Sequence, residues 1–127
     1  MNSFPHITEE YYCQNCNCFR TSIEVNADWK CIKCSNHIEI RIKTKILDNS
    51  CFRIRASELA TNDMILLDRN DEFRTVLDLK KEGDNFKVAI ERYRAINIHK
   101  DNFILKLHGG WYHNKEKSRV GKGESHP

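Results

Sequence analysis

The chain has 127 residues, of which 39% are hydrophobic and 31% are charged, and its formal net charge is +3. These proportions are typical of a folded globular protein and exclude a disordered chain. No apolar run approaches the ~18 residues of a spanning helix, and the N-terminus has no signal-peptide pattern, so we expect a cytoplasmic protein without a membrane partner. The net charge is too small to attract nucleic acid by itself, so any polyanion contact must come from local groups of cations.

The first 46 residues contain the strongest motif of the sequence. Residues 1–10 show no hydrophobic period and predict a flexible arm. Two C-x-x-C pairs follow, and each can present two thiolates from one tight turn. Two such turns facing each other form the tetrahedral four-sulfur site that zinc prefers, which predicts one structural Zn²⁺. The four predicted ligands are Cys13, Cys16, Cys31 and Cys34.

This spacing resembles the zinc ribbon, a family in which two cysteine-containing turns at hairpin tips bind one structural zinc. The resemblance covers residues 11–46 and implies a zinc-ribbon domain over 11–47. A segment of about 40 residues cannot normally bury enough apolar surface to fold unaided, so the metal is part of the folding argument. Rubredoxin has similar spacing and binds iron, but neither turn here has glycine after its second cysteine. A disulfide framework is the other alternative, and Cys18 and His37 are alternative ligands.

Beyond the first cysteine pair, the hydrophobic pattern predicts β-structure. Residues 18–30 predict a hairpin that turns at 26–28. Residues 38–46 alternate isoleucine with charged side chains, which predicts a strand with one apolar and one mostly basic face. Asp48, Asn49 and Ser50 form a polar cluster that predicts a turn and a domain boundary.

Residues 51–110 contain short apolar segments separated by polar turns, which predict a small antiparallel β-barrel-like domain. The predicted fold class is therefore mostly β, with zinc-ribbon hairpins followed by this domain. Residues 55–68 resemble the entry of small SH3-like and Hint-like barrels, with Asn62 where glycine is usual. This resemblance implies an architecture and no chemistry, because Cys51 lies too close to the motif to act as a splicing nucleophile.

One long strand is predicted from residue 86 to 98. Within it Arg92 and Arg94 share a parity with apolar residues, which requires a bulge or an edge. Residues 111–127 are polar and basic and predict a mobile tail.

Several cations and one aromatic residue indicate contact with nucleic acid, because phosphates bind exposed cations and aromatic rings stack on bases. The predicted contact residues are Arg41, Lys43, Lys45, Arg53, Arg55, Arg92, Arg94 and Trp111. The same charges are also typical of soluble strand edges and solvated tails.

Three histidines near the C-terminal end, His99, His108 and His113, raise the question of catalysis. Asp101 is the only acidic residue among them, and their spacing matches no hydrolase pattern, so we expect no enzyme and no small-molecule substrate. The predicted function is a non-catalytic zinc-ribbon protein that binds nucleic acid or a transcription or translation complex as an accessory or regulatory factor. The alternative is an adaptor or inhibitor that docks on a host or cellular enzyme without touching nucleic acid.

Overall fold

A computed structural model describes residues 8–68 and 71–113 of the chain. Those residues contain nine strands, two single-turn 3₁₀ helices and no α-helix. The strands are β1 (Thr8–Cys13), β2 (Cys18–Arg20), β3 (Glu39–Lys43), β4 (Asp48–Arg55), β5 (Met64–Leu66), β6 (Arg74–Glu82), β7 (Asn85–Ile90), β8 (Ile96–His99) and β9 (Phe103–Gly110). No helix in the described ranges has the length and apolar character needed to span a bilayer.

The nine strands form one antiparallel sheet in the order β2-β1-β3-β4-β9-β5-β6-β7-β8. The predicted mostly-β class is therefore confirmed, although the described sheet is not closed into a barrel. The final strand, β9, lies near the middle and pairs with β4 on one side and β5 on the other. Consequently β9 joins the cysteine-rich strands to the later strands.

Two hydrophobic clusters form the core. The first includes Ile38, Ile40 and Ile42, which are fully buried because a period of two places all three on one face of the sheet. The second lies among the later strands and consists of Ile54, Leu59, Ile65, Val76, Val88, Ile90 and Ile104. The division into a zinc ribbon and a second domain stays a prediction.

The structure corrects the predicted turn at residues 48–50, which instead begin β4 and pair with β3. The chain reverses just before them, where Thr44 N–H donates to the Leu47 carbonyl at 2.8 Å. β3 accordingly ends at Lys43, and Ile46 lies exposed in the turn. A polar cluster locates a turn only to within a few residues, because some of its residues can belong to the adjoining strand.

The predicted long strand over residues 86–98 is also wrong, because β7 and β8 form a hairpin there. Arg92 lies in the connecting turn with φ of 56°, a left-handed conformation that is uncommon outside glycine. Because both Arg92 and Arg94 lie in this turn and not in a strand, neither side chain has to share a sheet face with the buried apolar residues.

Both predicted ends need correction where the structure describes them. Residues 8–10 of the predicted arm belong to β1, and Trp111 and His113 of the predicted tail pack against the sheet. Residues 1–7 and 114–127 lie outside the described part of the chain. Of the predicted hairpin over 18–30, the structure contains the reversal at 26–28, where Val25 and Cys31 form an isolated antiparallel bridge. The first part of that hairpin differs, because β2 pairs with β1 and a 3₁₀ turn follows at Ser22–Glu24.

Candidate metal centre

The first cysteine pair is positioned by the β1–β2 hairpin. Cys13 ends β1 opposite Cys18, and Cys16 lies in the connecting turn. Asn17 has φ of 60°, which asparagine tolerates better than most residues. The tight turn aims the Cys16 N–H at the Cys13 sulfur, at 3.2 Å. One sulfur of the pair therefore already accepts a hydrogen bond from the backbone.

The second cysteine pair lies in a similar turn between β2 and β3. Ser35 N–H donates to the Cys31 carbonyl at 2.8 Å, and Ser35 has φ of 65°. Lys33 N–H points at the Cys31 sulfur at 3.4 Å. Both turns thus place two cysteine side chains on one side and direct a backbone N–H at the first sulfur.

The four sulfur atoms of Cys13, Cys16, Cys31 and Cys34 all lie within 4.8 Å of one another. Cys13 Sγ is 3.4 Å from Cys34 Sγ, and Cys16 Sγ is 4.0 Å from Cys31 Sγ. A tetrahedral ion with metal–sulfur bonds of about 2.3 Å requires sulfur–sulfur distances of about 3.8 Å. The two measured distances bracket that value, so this group can hold a metal ion.

All six cysteines are free thiols, so the alternative of a disulfide framework is not what the structure contains. The alternative ligands are also outside the four-sulfur group of the described residues. His37 instead lies 4.0 Å from a Glu58 carboxylate oxygen and packs against the Phe52 ring. Cys18 pairs across the hairpin with Cys13 without joining the group.

The protein environment affects the thiols differently. Burial raises the pKa of Cys13 to about 12. The backbone N–H of Asn36 is the main cause that lowers the pKa of Cys34 to about 6. Burial acts to raise the pKa of Cys31, but the N–H groups of Cys34 and Lys33 outweigh it and lower that pKa. Because a metal needs thiolates, its binding must displace a proton from Cys13 in particular.

Three of the five arginines predicted to contact nucleic acid lie in ion pairs with carboxylates. Arg41 bonds both Glu10, at 2.9 Å, and Asp48, at 2.8 Å. Arg53 makes two bonds to Glu9, at 2.9 and 2.7 Å.

Arg53 also lies 4.3 Å from the centre of the Trp29 ring. Arg55 bonds Asp28 at 2.7 Å and lies over Phe103. The ion pairs of Arg53 and Arg55 join residues far apart in sequence, so no local sequence pattern predicts them.

The other predicted contact residues divide by exposure. Lys43, Lys45, Arg92 and Arg94 are exposed, whereas Trp111 is half-buried, with the Arg41 guanidinium 5.9 Å from its ring centre. The structure brings none of the four exposed cations into the ion pairs described above.

A buried polar network lies on the face of β3 opposite Ile38, Ile40 and Ile42. The sequence analysis did not predict it. Glu39 is only 4% exposed and accepts a hydrogen bond from Ser50 Oγ at 2.8 Å. Its carboxylate also lies 3.2 Å from His113 Nε2, and the His113 ring stacks on Tyr12 with a centroid distance of 3.7 Å. This network fastens the segment after β9 to β3 and β4. The alternating pattern around Glu39 predicted only a polar face.

The other two histidines make separate contacts. His99 Nδ1 accepts a hydrogen bond from Asp101 N–H at 3.1 Å, and His108 packs against Phe52. In the ranges 8–68 and 71–113, the only group of three or more histidine, cysteine or acidic side chains close enough to hold a metal is the four-cysteine group.

Comparisons with known proteins add no relative. No protein-family model matches the sequence, no curated protein matches it, and no solved structure matches its fold.

Proposed function

We propose that the four cysteines hold one structural Zn²⁺ in a zinc-ribbon arrangement, and that the protein is a non-catalytic binding module built around this ion. The observation that carries the proposal is the sulfur geometry, because four converging thiolates fill a tetrahedral coordination shell. A catalytic zinc keeps a position open for water or substrate, and four protein ligands leave none. Iron is the alternative metal for the same four donors.

Metal analysis of the purified protein tests this part of the proposal. We expect one zinc per chain, and we expect a strong chelator to remove both the metal and the ordered amide signals of residues 8–47. A result of one iron per chain would mean that the bound metal is iron and not zinc. An ordered protein with neither metal would contradict the proposed centre.

We infer that the binding partner is a protein surface. Arg41, Arg53 and Arg55 already have carboxylate partners, so a phosphate would have to compete with Glu10, Glu9 and Asp28 for them. Apolar side chains beside the metal centre give further support. Ile23 is 84% exposed and Ile32 is 57% exposed. The Ile32 N–H bonds the Glu24 carbonyl at 3.0 Å, which holds the two isoleucines on neighbouring segments. Exposed apolar side chains that form one continuous patch are typical of protein contact sites.

Nucleic acid, or a complex that processes it, is the second candidate partner. The four exposed cations Lys43, Lys45, Arg92 and Arg94 support it, because each can reach a phosphate without breaking one of the ion pairs. Trp111 contributes less to this proposal, since its ring is half-buried under Arg41.

Two double variants separate the candidates. In the first, Ile23 and Ile32 become serine, and in the second, Lys43 and Lys45 become serine. For a protein partner, we expect capture of one specific protein from nuclease-treated lysate to be lost with the first variant and kept with the second.

A polynucleotide partner predicts the reverse. Binding of a labelled oligonucleotide would then weaken steeply between about 50 and 200 mM salt, and the lysine variant would reduce the slope. Salt-dependent oligonucleotide binding that the isoleucine variant leaves intact would contradict our first candidate.

A further inference from the structure

The strand β8 ends the sheet and has one edge without a neighbouring strand. It is the last strand of the order and pairs only with β7. Directly after it, the Lys100 N–H donates to the Asp84 carbonyl at 2.8 Å. Successive residues of an antiparallel pair alternate between bonding the neighbouring strand and facing away from it. This register therefore directs the backbone groups of Asn97 and His99 away from β7, toward the open edge.

The outward backbone groups of β8 are free to bind another chain. The His99 carbonyl is the exception, because it accepts the Asn102 N–H at 3.0 Å. The N–H and carbonyl of Asn97 and the N–H of His99 have no hydrogen-bond partner within residues 8–68 and 71–113, and both residues are exposed. A row of unpaired backbone groups is a template for pairing with a further strand.

A cavity of about 360 Å³ opens beside the same strand. Ile96 and Ile98 line it from β8, and Leu105 lines it from β9. Among the described residues around it, the one charged side chain is Arg53, and both of its terminal nitrogens already bond Glu9. Cavities of about 300–1,000 Å³ with mostly apolar walls are typical of binding sites. This cavity is therefore suited to apolar side chains and not to an anion.

An unpaired strand edge beside an apolar cavity is the arrangement by which proteins bind extended peptides through strand addition. Backbone hydrogen bonds supply the affinity, and alternate side chains fill the cavity. In an added antiparallel strand, one residue would bond Asn97, and its two neighbours would lie opposite Ile96 and Ile98. Residues opposite each other share a sheet face, so those two neighbours would point to the cavity. They should therefore be apolar.

The charges before β8 indicate what should follow the apolar residues of the added strand. The turn that precedes β8 contains Arg92, Arg94 and one acidic residue, Glu91, and all three are exposed. The Arg94 guanidinium lies 5.6 Å from the centre of the Tyr93 ring, and neither arginine joins an ion pair in the described part of the chain. The C-terminal end of an antiparallel added strand lies beside the start of β8. Carboxylates at that end would complement the excess of positive charge.

We propose that the β8 edge and its cavity bind an extended protein segment, which adds as an antiparallel strand with apolar side chains at alternate positions followed by acidic residues. The site is separate from the proposed metal centre, because β2 and β8 are the opposite ends of the strand order. It is a second docking surface beyond the proposed contact at Ile23 and Ile32, and it needs no metal.

The test uses the full chain and a labelled peptide of alternating valine and threonine that ends in aspartates. Asn97→Pro removes the outward N–H and leaves the pairing with β7 intact, because proline is tolerated where an edge strand faces solvent. Asn97→Ala is the matched control, since it loses the same side chain and keeps the N–H. A second peptide has N-methyl groups on its threonines, which removes the backbone donors that would bond β8.

Fluorescence anisotropy measures the dissociation constant of each pair. We expect Asn97→Ala to bind the peptide as the unchanged protein does. Asn97→Pro should bind about 10-fold more weakly, because a carbonyl of the added strand loses its donor. Methylation of the peptide should weaken binding by a similar factor. Replacing its aspartates with asparagines should weaken binding by about 2- to 5-fold, as expected for exposed ion pairs.

Equal affinities of Asn97→Pro and Asn97→Ala would overturn the proposal, and so would an unchanged protein that does not bind the peptide. A dimer that Asn97→Pro converts to a monomer, measured by light scattering, would assign the edge to a second copy of the chain and overturn the peptide. Should Asn97→Pro fail to fold, the methylated peptide decides: weaker binding supports the proposal, and unchanged binding overturns it. None of these outcomes changes the expected zinc content, so failure here leaves the proposed metal centre standing.

Discussion

The two core clusters differ in the kinds of side chain they bury. Three of the seven buried residues in the first cluster are cysteines, Cys13, Cys31 and Cys51, and two of these belong to the four-sulfur group. All seven buried residues of the second cluster are aliphatic. Under the proposed metal binding, stability of the first region would depend on the bound ion, while stability of the second depends on apolar burial.

One sheet can therefore combine a part whose folding would require the proposed ion with a part whose folding does not. The strands β5 to β8 lie on the far side of β9 from the cysteines. On this proposal, loss of the ion should remove the constraint on β1, β2 and the second cysteine turn and should leave the second cluster's side chains in place. Four substitutions, taken from the largest expected effect to the smallest, test this comparison.

Substitution of a sulfur ligand should have the largest effect. Cys31→Ala removes a fully buried ligand, and structural zinc contributes apparent free energies on the order of 10 kcal/mol. We expect amide NMR signals from residues 8–47 to lose dispersion while those of β6 to β8 keep it. Cys51→Ala is the control, since Cys51 is buried in the same cluster outside the sulfur group, and it should keep its zinc. Equal metal content and dispersion in Cys31→Ala would break the comparison.

Truncation in the second cluster should weaken folding without touching the metal. Ile65 is fully buried in β5, and Ile65→Ala should cost about 2–5 kcal/mol in the free energy of unfolding. Ile65→Val should cost about 0.5–1.5 kcal/mol by the same measure. Urea unfolding gives both values, and metal analysis of each variant should still find one zinc. Loss of zinc from Ile65→Ala would show that the two regions are not separable.

Removal of the buried carboxylate should release the segment after β9. Glu39→Ala leaves the Ser50 hydroxyl and the His113 ring without their shared acceptor, at a cost of about 1–3 kcal/mol. In a Trp29→Phe background, the emission of Trp111 should shift to the red as its ring becomes exposed. Glu82→Gln, at an exposed position, should leave the emission unchanged. An unshifted spectrum in Glu39→Ala would mean that Glu39 does not hold the segment.

The smallest expected effect is the pH-dependent contribution of Asp48 to the free energy of unfolding. The hydrogen bond from Arg41 is the main cause that lowers the pKa of Asp48. A carboxyl with a lower pKa in the folded state adds stability above its unfolded pKa of about 3.9, and the gain disappears as pH falls through the folded value. Because Asp48 is 44% exposed, Asp48→Asn should cost less than about 1 kcal/mol at neutral pH.

Urea midpoints at about pH 7 and about pH 3 measure this contribution, with both proteins compared in the zinc-free form at both pH values because acid protonates the thiolate ligands. The difference between Asp48→Asn and the unchanged protein should shrink at the lower pH. A difference that grows on acidification would contradict the sign of the linkage.

Sequence reasoning succeeded where the determining contacts are local. The two C-x-x-C turns indicated the four sulfurs that the fold brings together, and the alternation at Ile38, Ile40 and Ile42 predicted β3 and its buried face. Both signals arise within a few residues.

It failed where distant residues decide. Arg92 adopts a left-handed turn without glycine, and only the pairing of β7 with β8 makes that turn necessary. The Arg53–Glu9 pair joins residues 44 positions apart, so the sequence showed a cation without its partner. The buried state of Glu39 similarly depends on His113, near the far end of the described chain.

The central place of β9 also governs how the protein can be made. During translation, β4 and β5 leave the ribosome long before Phe103–Gly110, the strand that lies between them. Until it emerges, both strands present unpaired edges, which are templates for intermolecular pairing. A premature stop before codon 103 would therefore leave β4 and β5 as unpaired edge strands. We expect such a fragment to aggregate into inclusion bodies.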